Sequence, residues 1–333
     1  MKKIAPLLIA ALALSFGVIY YTTLDPAPGP PEDELDSKIV LGFAQLGAES
    51  EWRSASSESV QRAARMYGVE LMFENAQQKQ ENQIMAIRSF IAHRVDVIAF
   101  APVVESGWDN VLMEARAAGI PVILVDRMIE TELEDVYASF LGSDFMEEGR
   151  EAGRWLLSKF SDWEGGIRIV ELRGTEGASP TRGRDEGFRE IISGDPRFRI
   201  ARSLSGDFMR SKGRETMEYI LSEYHDPEGG DIDVIFAHND DMALGAIEVL
   251  ESHGIKPGQD IVMISVDAQR SGLEALKEGK LNSVVECTPY VGEQLMQLVI
   301  ALVSGEEIPS AIYSEVRIFT EDDPPESLPV REY

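Results

Sequence analysis

The stretch IFAHNDDMALGAI, residues 235–247, passes from an apolar run into a helix-like run. The apolar part is continuous, which is typical of a strand covered on both faces of a parallel sheet. Four polar residues stand between the two runs: His238, Asn239, Asp240 and Asp241. The stretch therefore predicts one strand-turn-helix unit of an α/β fold, with side chains that can bind metals or move protons at the end of the strand.

The same unit recurs along the chain from Lys38 onward. Amphipathic stretches such as residues 77–92 separate the apolar runs, with Ile84, Ile87 and Ile91 on one helical face. This alternation predicts two Rossmann-like, doubly wound α/β lobes with parallel sheets. The candidate strands are KIVLGFAQ (38–45), VELMFENA (69–76), VDVIAFAPV (95–103), IPVILVDR (120–127), YASFLGSD (137–144), GIRIVELRG (166–174), FRIARSLSG (198–206), IDVIFAHND (232–240), IVMISVDA (261–268) and LNSVVECTP (281–289).

Composition limits the partners of the protein. The chain has 333 residues, 44% of them hydrophobic, which is enough for two lobes with large cores. Its formal net charge of -27 repels the phosphates of nucleic acids and the headgroups of anionic lipids. We therefore expect no nucleic acid partner. The acidity fits either a saline habitat or plain solubility.

The N-terminus predicts export. Lys2 and Lys3 precede an apolar run over residues 5–21, which together make the charged and hydrophobic regions of an export signal. We expect residues 1–24 to be a signal peptide or an uncleaved membrane anchor, because no clear small-x-small cleavage site follows the run. Residues 25–37 are rich in proline and acidic side chains, which predicts a disordered linker.

Polar and aromatic residues follow several of the predicted strands. In open parallel sheets ligands bind at the carboxyl ends of strands, so one crevice could collect these side chains. A sugar needs both kinds of contact, because its hydroxyls donate and accept hydrogen bonds while its C–H face stacks on a ring. The sequence therefore predicts a polyol site without a cofactor. Its polar candidates are Asp126, Arg127, Arg184, Asn239, Asp267 and Glu286, and its aromatic candidates are Trp52 and Phe208.

Structural roles are open for the residues of the first stretch. Asp240 and Asp241 begin a predicted helix, where carboxylates cap free N–H groups, and we favour this interpretation for both. His238 has no partner at metal-ligand spacing, so we expect a structural or rim position for it.

Four further residues have structural alternatives. Asp126 and Arg127 could form a simple ion pair that closes a strand, and Trp52 could pack within the first helix. The only cysteine, Cys287, cannot form an intrachain disulfide and lies in an apolar run, which predicts a core position.

The sequence lacks the motifs of the common catalytic sites. The segment GFAQLGAES, residues 42–50, has the glycine spacing of a phosphate loop but has Ala-Glu where that loop needs Lys-Ser/Thr. There is neither a Gly-x-Ser-x-Gly elbow nor a His-Glu-x-x-His helix. We therefore expect no enzymatic activity, no metal site and no cofactor.

Eight segments, taken in order, carry a family resemblance: FAQLGAESEWRSA, NAQQKQENQIMAIRSFIA, APVVESGW, ILVDR, VELRGTEGAS, SGDFMRSKG, AHNDDMALGAI and SVDA. From Lys38 to about Phe319 the chain resembles the periplasmic sugar-binding proteins of bacterial ABC importers, the ribose and galactose type. The likeness is strongest to members that bind galactofuranose. The resemblance implies the type I periplasmic binding protein fold, in which a hinge of three crossings joins two lobes. The expected lobes are residues 38–141 with 288–313, and residues 142–287 with 314–333.

The resemblance also implies a ligand site between the lobes. Two departures bear on the choice of sugar, since Glu51 and Ala268 stand where galactofuranose-binding members have glycine. The site residues implied by position are Glu49, Ser50, Trp52 and Arg53 in the first loop, Asp126 and Arg127 from the first lobe, Arg184 and Phe208 from the second, and Asn239, Asp267 and Glu286 at the later strand ends and the hinge.

The implied function is the capture of one monosaccharide by hinge closure and its delivery to a membrane permease. The expected ligand is galactofuranose or a similar furanose, pentose or hexose. The expected partners are the permease and ATPase subunits of an ABC importer, and the protein is expected to be a periplasmic monomer. A sensor subunit that presents its closed form to a chemoreceptor or sensor kinase is the alternative.

Overall fold

Two six-stranded sheets organise the chain. The structure, a computed structural model, describes residues 38–223 and 231–333, so the expected export segment and linker lie outside the described residues. The strands alternate with helices along the chain and form two doubly wound units, which confirms the predicted fold class.

The first sheet is wholly parallel. Its strands are β1 (Val40–Gln45), β2 (Glu70–Asn75), β3 (Val97–Phe100), β4 (Val122–Val125), β5 (Ser139–Gly142) and β11 (Ala311–Tyr313). The order across the sheet is β2-β1-β3-β4-β5-β11. The helices of this lobe are α1 (Glu51–Tyr67), α2 (Gln80–His93), α3 (Asp109–Ala117) and α9 (Gly292–Val303).

The second sheet is parallel except at one edge. Its strands are β6 (Ile167–Arg173), β7 (Phe198–Ser205), β8 (Val234–Ala237), β9 (Val262–Asp267), β10 (Ser283–Glu286) and β12 (Ile318–Thr320). The order is β7-β6-β8-β9-β10-β12, and only β12 runs antiparallel to its neighbour. The helices of this lobe are α4 (Phe145–Lys159), α5 (Ser179–Ile192), α6 (Arg210–Glu223), α7 (Asp240–Ser252) and α8 (Arg270–Lys277).

The two sheets repeat one topology. The order β2-β1-β3-β4-β5 in the first corresponds to β7-β6-β8-β9-β10 in the second. The chain passes between the sheets after β5, after β10 and after β11. The edge strands β11 and β12 have three residues each, which is too short for the apolar-run pattern, and the sequence did not predict them. The lobe bounds implied by the family stay a prediction.

Burial on both faces explains the continuous apolar strands. Every residue of β3 is buried. Its alternate residues enter different cores: Ile98 and Phe100 pack in one hydrophobic cluster, and Val97 and Ala99 pack in another. Successive side chains of a strand point to opposite faces. Because both faces are covered here, the strand is apolar at every position rather than at every second one.

The start of α1 places two residues for the site. Ser50 caps the helix, and its side chain accepts a hydrogen bond from the Arg53 backbone N–H at 3.1 Å. Trp52 and Arg53 therefore lie in the first turn, next to the carboxyl end of β1. Gly68, with a φ of 70°, ends the helix in the left-handed conformation that glycine adopts at low cost.

Two further findings concern the described ranges, 38–223 and 231–333. None of their helices is both long enough and apolar enough to span a bilayer. Nor do they contain a group of three or more His, Cys, Asp or Glu side chains that could hold a metal ion.

Candidate functional site

A cavity lies between the two lobes, at the carboxyl ends of strands from both sheets. Its empty volume, which includes space open to solvent, is about 280 Å³. Of the eleven residues expected from the sequence, all but Glu286 line it. The lining consists of Glu49, Ser50, Trp52, Arg53, Asp126, Arg127, Phe145, Pro180, Arg184, Phe208, Asn239, Asp267 and Cys287.

Four charged side chains of the first lobe form one buried ion cluster. The Arg127 guanidinium donates to the Glu49 carboxylate at 2.5 Å, and the Arg53 guanidinium donates to the Asp126 carboxylate at 2.6 Å. Arg53 also lies 3.5 Å from Glu49. The simple pair of Asp126 with Arg127 is only a long contact of 3.9 Å, since each residue has a closer partner. Two guanidinium groups thus balance two carboxylates.

Several donors of this cluster have no acceptor. Among the buried side-chain atoms of the described residues, Arg53 Nε and Nη1 and Arg127 Nε make no hydrogen bond. A buried polar group without a partner costs about 1–3 kcal/mol. Because both arginines line the cavity, a guest rich in acceptor oxygens would relieve this cost.

Arg184 is the central charged group of the second lobe. Its Nε donates to Glu148 at 2.8 Å, its Nη1 donates to the His238 carbonyl oxygen, and its Nη2 lies 3.6 Å from Asp267. Burial raises the pKa of Asp267 well above the ordinary value, and the nearby Arg184 opposes this only in part. The second lobe therefore offers a carboxyl group that stays protonated to higher pH than an ordinary aspartate.

One aromatic ring joins the arginines of the two lobes. The guanidinium carbon of Arg127 lies over the Phe208 ring at 5.2 Å from its centroid, and that of Arg184 at 5.9 Å. Phe208 has a φ of 61°, a left-handed conformation that is uncommon for a bulky residue. Gly174 makes room for the ring, because a Cβ there would lie 1.9 Å from Phe208 Cζ.

Trp52 connects the first helix to the second lobe. Its Nε1–H donates to the carbonyl oxygen of Cys287 at 2.6 Å. Its ring packs in a hydrophobic cluster with Phe145 and residues of the second sheet, and Arg53 lies over the same ring at 4.7 Å. Trp52 therefore packs between the lobes rather than within its own helix.

The Asn239 side chain accepts one hydrogen bond and donates another within the protein. Its side-chain oxygen accepts from the Met242 backbone N–H at 3.0 Å, which caps α7, and its Nδ2 donates to the Phe208 carbonyl oxygen at 3.1 Å. An amide can accept a second hydrogen bond and donate a second one, so Asn239 keeps capacity for a ligand.

The capping roles expected for Asp240 and Asp241 are wrong. Asp240 accepts from the Ser265 hydroxyl at 2.5 Å and from the Gln269 backbone N–H at 2.8 Å. Asp241 accepts from the Glu51 backbone N–H at 3.1 Å and from the Gln269 side chain. Both are already inside the helix, so their carboxylates reach neighbouring elements instead of the N–H groups of α7.

His238 has the structural position expected from the sequence. Its side chain is fully buried, and its Nε2 lies 3.1 Å from a carboxylate oxygen of Glu171. Burial lowers the pKa of His238. Burial also acts on Glu171, yet its contact with His238 and other hydrogen bonds bring its pKa down to about 2. The pair is therefore a neutral imidazole beside a carboxylate, below the cavity rather than in it.

At the end of β10, Cys287 lines the cavity and its neighbour Glu286 does not. The Glu286 carboxylate bonds to Arg331 and lies 4.0 Å from Arg317, outside the cavity lining. Cys287, expected only in the core, packs in a hydrophobic cluster and also lines the cavity. Burial raises the pKa of its thiol well above the ordinary value, so it is a neutral group there.

Two other lining residues were missed. Phe145 begins α4 after β5, and Pro180 lies in the first turn of α5 after β6. Both occupy the strand-end loops on which the prediction rested. Their position after a strand was a signal for the site, but the expected site consisted mainly of polar side chains.

Comparisons with known proteins agree on one family. A family model described as periplasmic binding protein domain matches residues 41–307. The galactofuranose-binding protein YtfQ of Escherichia coli (strain K12) is 42% identical over 255 residues, which cover 77% of this chain and 79% of that protein.

Two solved structures share both the fold and much of the sequence. A Mycobacterium smegmatis protein in complex with β-D-fucofuranose is 49% identical, with a TM-score of 0.82 over 85% of this chain and 91% of that chain. The periplasmic binding protein of the arabinose ABC transporter from Shewanella sp. ANA-3, bound to L-arabinofuranose, is 42% identical, with a TM-score of 0.80 over 85% and 92%.

Proposed function

The chain belongs to the periplasmic binding protein family, and we propose that it captures one monosaccharide between its lobes and delivers it to an ABC importer. Its homologues are sugar-binding proteins of such importers. The proposal takes the importer role over the sensor alternative, because no described feature favours a kinase partner. The family implies a periplasmic location.

The unpaired donors of the first lobe carry the proposal. Arg53 and Arg127 both line the cavity, and both carry N–H groups that have no acceptor among the residues that the structure describes. Their charges are already balanced by Glu49 and Asp126, so the cavity does not require a charged guest. Hydroxyl oxygens of a neutral sugar would accept from these groups, while Phe208 and Trp52 supply apolar surface for its C–H faces.

The second lobe supplies the complementary groups. A hydroxyl also donates, and Asp267 and Asn239 present oxygen atoms to the same cavity. A ligand held by both lobes would favour the closed arrangement, and its release would require reopening about the three crossings. The site residues in this account are the ten that the sequence and the cavity share.

The furanose form is the sugar class that we favour. The two similar structures hold fucofuranose and arabinofuranose, and the Escherichia coli relative is named for galactofuranose. The departure at Glu51 does not oppose this choice, because its side chain is exposed and its carboxylate accepts from Ser271 at 3.2 Å outside the lining. Ala268 keeps a left-handed φ of 57°, so the loop retains the backbone that glycine would give.

The partners follow from the family. We propose that the closed, sugar-loaded monomer is recognised by a permease whose transport is driven by an ATPase subunit. The homologues are binding proteins rather than enzymes, and we propose that this chain likewise releases its sugar unchanged.

A titration with several sugars tests the proposal. L-Arabinose, D-fucose, D-galactose and D-ribose are added to the purified protein, and heat and thermal unfolding are measured. We expect a dissociation constant near micromolar, about −8 kcal/mol, for a sugar with an accessible furanose form, and a matching rise in stability. Small-angle scattering should show compaction with the same sugar. If no sugar raises the unfolding temperature and none compacts the protein, the proposal is wrong.

A further inference from the structure

One ion pair joins the lobes outside the cavity. Glu105 lies in the loop after β3 of the first lobe, and Arg182 lies on α5 of the second. Arg182 Nη2 donates to Glu105 Oε1 at 2.7 Å, and its Nε donates to both carboxylate oxygens at 3.1 and 3.2 Å. The fork geometry makes this a bidentate pair, the stronger kind of ion pair.

Backbone contacts fix the same junction. The Glu105 backbone N–H donates to the Gly177 carbonyl oxygen at 2.8 Å. The Met128 backbone N–H donates to the Ser179 hydroxyl at 2.9 Å, also from the first lobe to the start of α5. The Glu105 side chain is only 10% exposed, whereas Arg182 is 57% exposed. The carboxylate is thus held in a well-defined place, and the arginine reaches it from solvent.

Each residue of the pair belongs to a segment that contacts or carries an arginine of the cavity lining. The loop that carries Glu105 supplies the Val103 carbonyl oxygen, which accepts from Arg127 Nη1 at 3.2 Å. The helix that carries Arg182 also carries Arg184, two residues on, whose guanidinium lines the cavity. The ion pair therefore joins the loop that contacts Arg127 to the helix that carries Arg184.

We propose that Glu105 and Arg182 are positioning residues for sugar binding, which hold the lobes closed and set the separation of the two cavity arginines. The proposal rests on the function proposed above. Neither residue lines the cavity, so their effect reaches the ligand through the closed arrangement. The sugar-bound state is the closed one, so a change that destabilises the closed arrangement relative to the open one weakens binding.

Variants of the pair test this role. Glu105→Ala and Arg182→Ala should each raise the dissociation constant of the best sugar about tenfold, mainly through faster release. The double variant should be no weaker than either single one, because both remove the same interaction. The exchange of Glu105→Arg with Arg182→Glu should recover part of the affinity. Small-angle scattering of the sugar-free protein should show a larger radius of gyration for both single variants.

The matched control is Arg88 with Glu114, another bidentate pair, with contacts of 2.7 and 2.8 Å inside the first lobe. Glu114→Ala should leave affinity and radius unchanged. If Glu105→Ala and Arg182→Ala behave like this control in both measurements, the positioning role is wrong while sugar binding by the parent protein stands. If the parent binds no sugar, the proposed function fails, and the radius of the sugar-free variants still decides whether the pair holds the lobes closed.

Discussion

The two lobes have the same strand order but bring different chemistry to the cavity. The first lobe supplies Arg53 and Arg127, whose charges are balanced by two carboxylates. Their spare N–H groups have no acceptor in the described part of the chain. The second lobe supplies one arginine and Asp267, whose pKa burial raises well above the ordinary value. One lobe therefore provides arginine donors that stay charged, and the other provides a carboxyl group that stays protonated to higher pH than an ordinary aspartate.

A repeated topology fixes the position of the strand ends but not the chemistry of the side chains on them. The order of the strands brings both sets of strand ends to one cavity. It does not decide which side chains stand there, so each lobe could acquire its own role.

The largest effect is expected from one residue of each lobe. Arg127→Ala should weaken sugar binding by about 2–5 kcal/mol, because it leaves the buried Glu49 without its closest partner. Asp267→Ala should cost a similar amount near neutral pH. Calorimetric titration at several pH values separates the lobes: the loss at Arg127 should be constant, and the loss at Asp267 should vary with pH.

Arg88→Ala is the control for this experiment, since that arginine is exposed and pairs only within the first lobe. Unchanged binding after Arg127→Ala would remove it from the site. A loss at Arg127 that varied with pH as strongly as the loss at Asp267 would remove the proposed difference between the lobes.

A smaller effect concerns stability, and it belongs to the second lobe alone. Burial raises the pKa of Asp240 to about 7, although hydrogen bonds from Ser265 and Gln269 oppose this. In the unfolded chain an aspartate titrates near 3.9. Between roughly pH 4 and 7 the folded state therefore binds more protons than the unfolded state, and stability falls as pH rises.

In Asp240→Asn the decrease in the free energy of unfolding as pH rises should be smaller by about 1–3 kcal/mol, because the amide does not titrate. Urea unfolding at pH 4.5 and 7.5, compared between parent and variant, measures it. Asp195→Asn is the control: that carboxylate is half-buried, and its hydrogen bonds with Arg197 lower its pKa, so the variant should keep the fall. An equal pH slope in the parent protein and in Asp240→Asn would contradict the prediction.

The sequence predicted the fold well because the decisive signal is local. Continuous apolar runs marked central strands such as β3, β4 and β8, in which every residue is apolar and buried. The partly exposed strands β2 and β7 mix apolar and polar residues. The edge strands β11 and β12 lack that signal and depend on pairing with β5 and β10, which are distant in the chain. Ligands of parallel sheets bind at the carboxyl ends of the strands, and ten of the residues predicted with the help of this rule line one cavity.

What the sequence could not give are bonds between distant elements. Asp240 and Asp241 read locally as helix caps, but their partners Ser265, Gln269 and Glu51 belong to other elements and, for Glu51, to the other lobe. Local rules cannot tell a capping carboxylate from one that bridges two lobes. The contact of Glu286 with Arg331 is another bond of this kind, because its partner is far along the chain.

The smallest effect is expected at Glu286, which the family pattern includes in the site and the cavity does not. Its carboxylate accepts from Arg331, so Glu286→Gln keeps an oxygen for that contact and changes no group in the lining. Sugar binding should change by less than about 0.5 kcal/mol, because the substitution leaves every group of the cavity lining in place. The titration is run beside Arg127→Ala. A loss as large as that of Arg127→Ala would mean that a carboxylate at the hinge acts on the ligand, and the acid chemistry of the second lobe would then extend beyond Asp267.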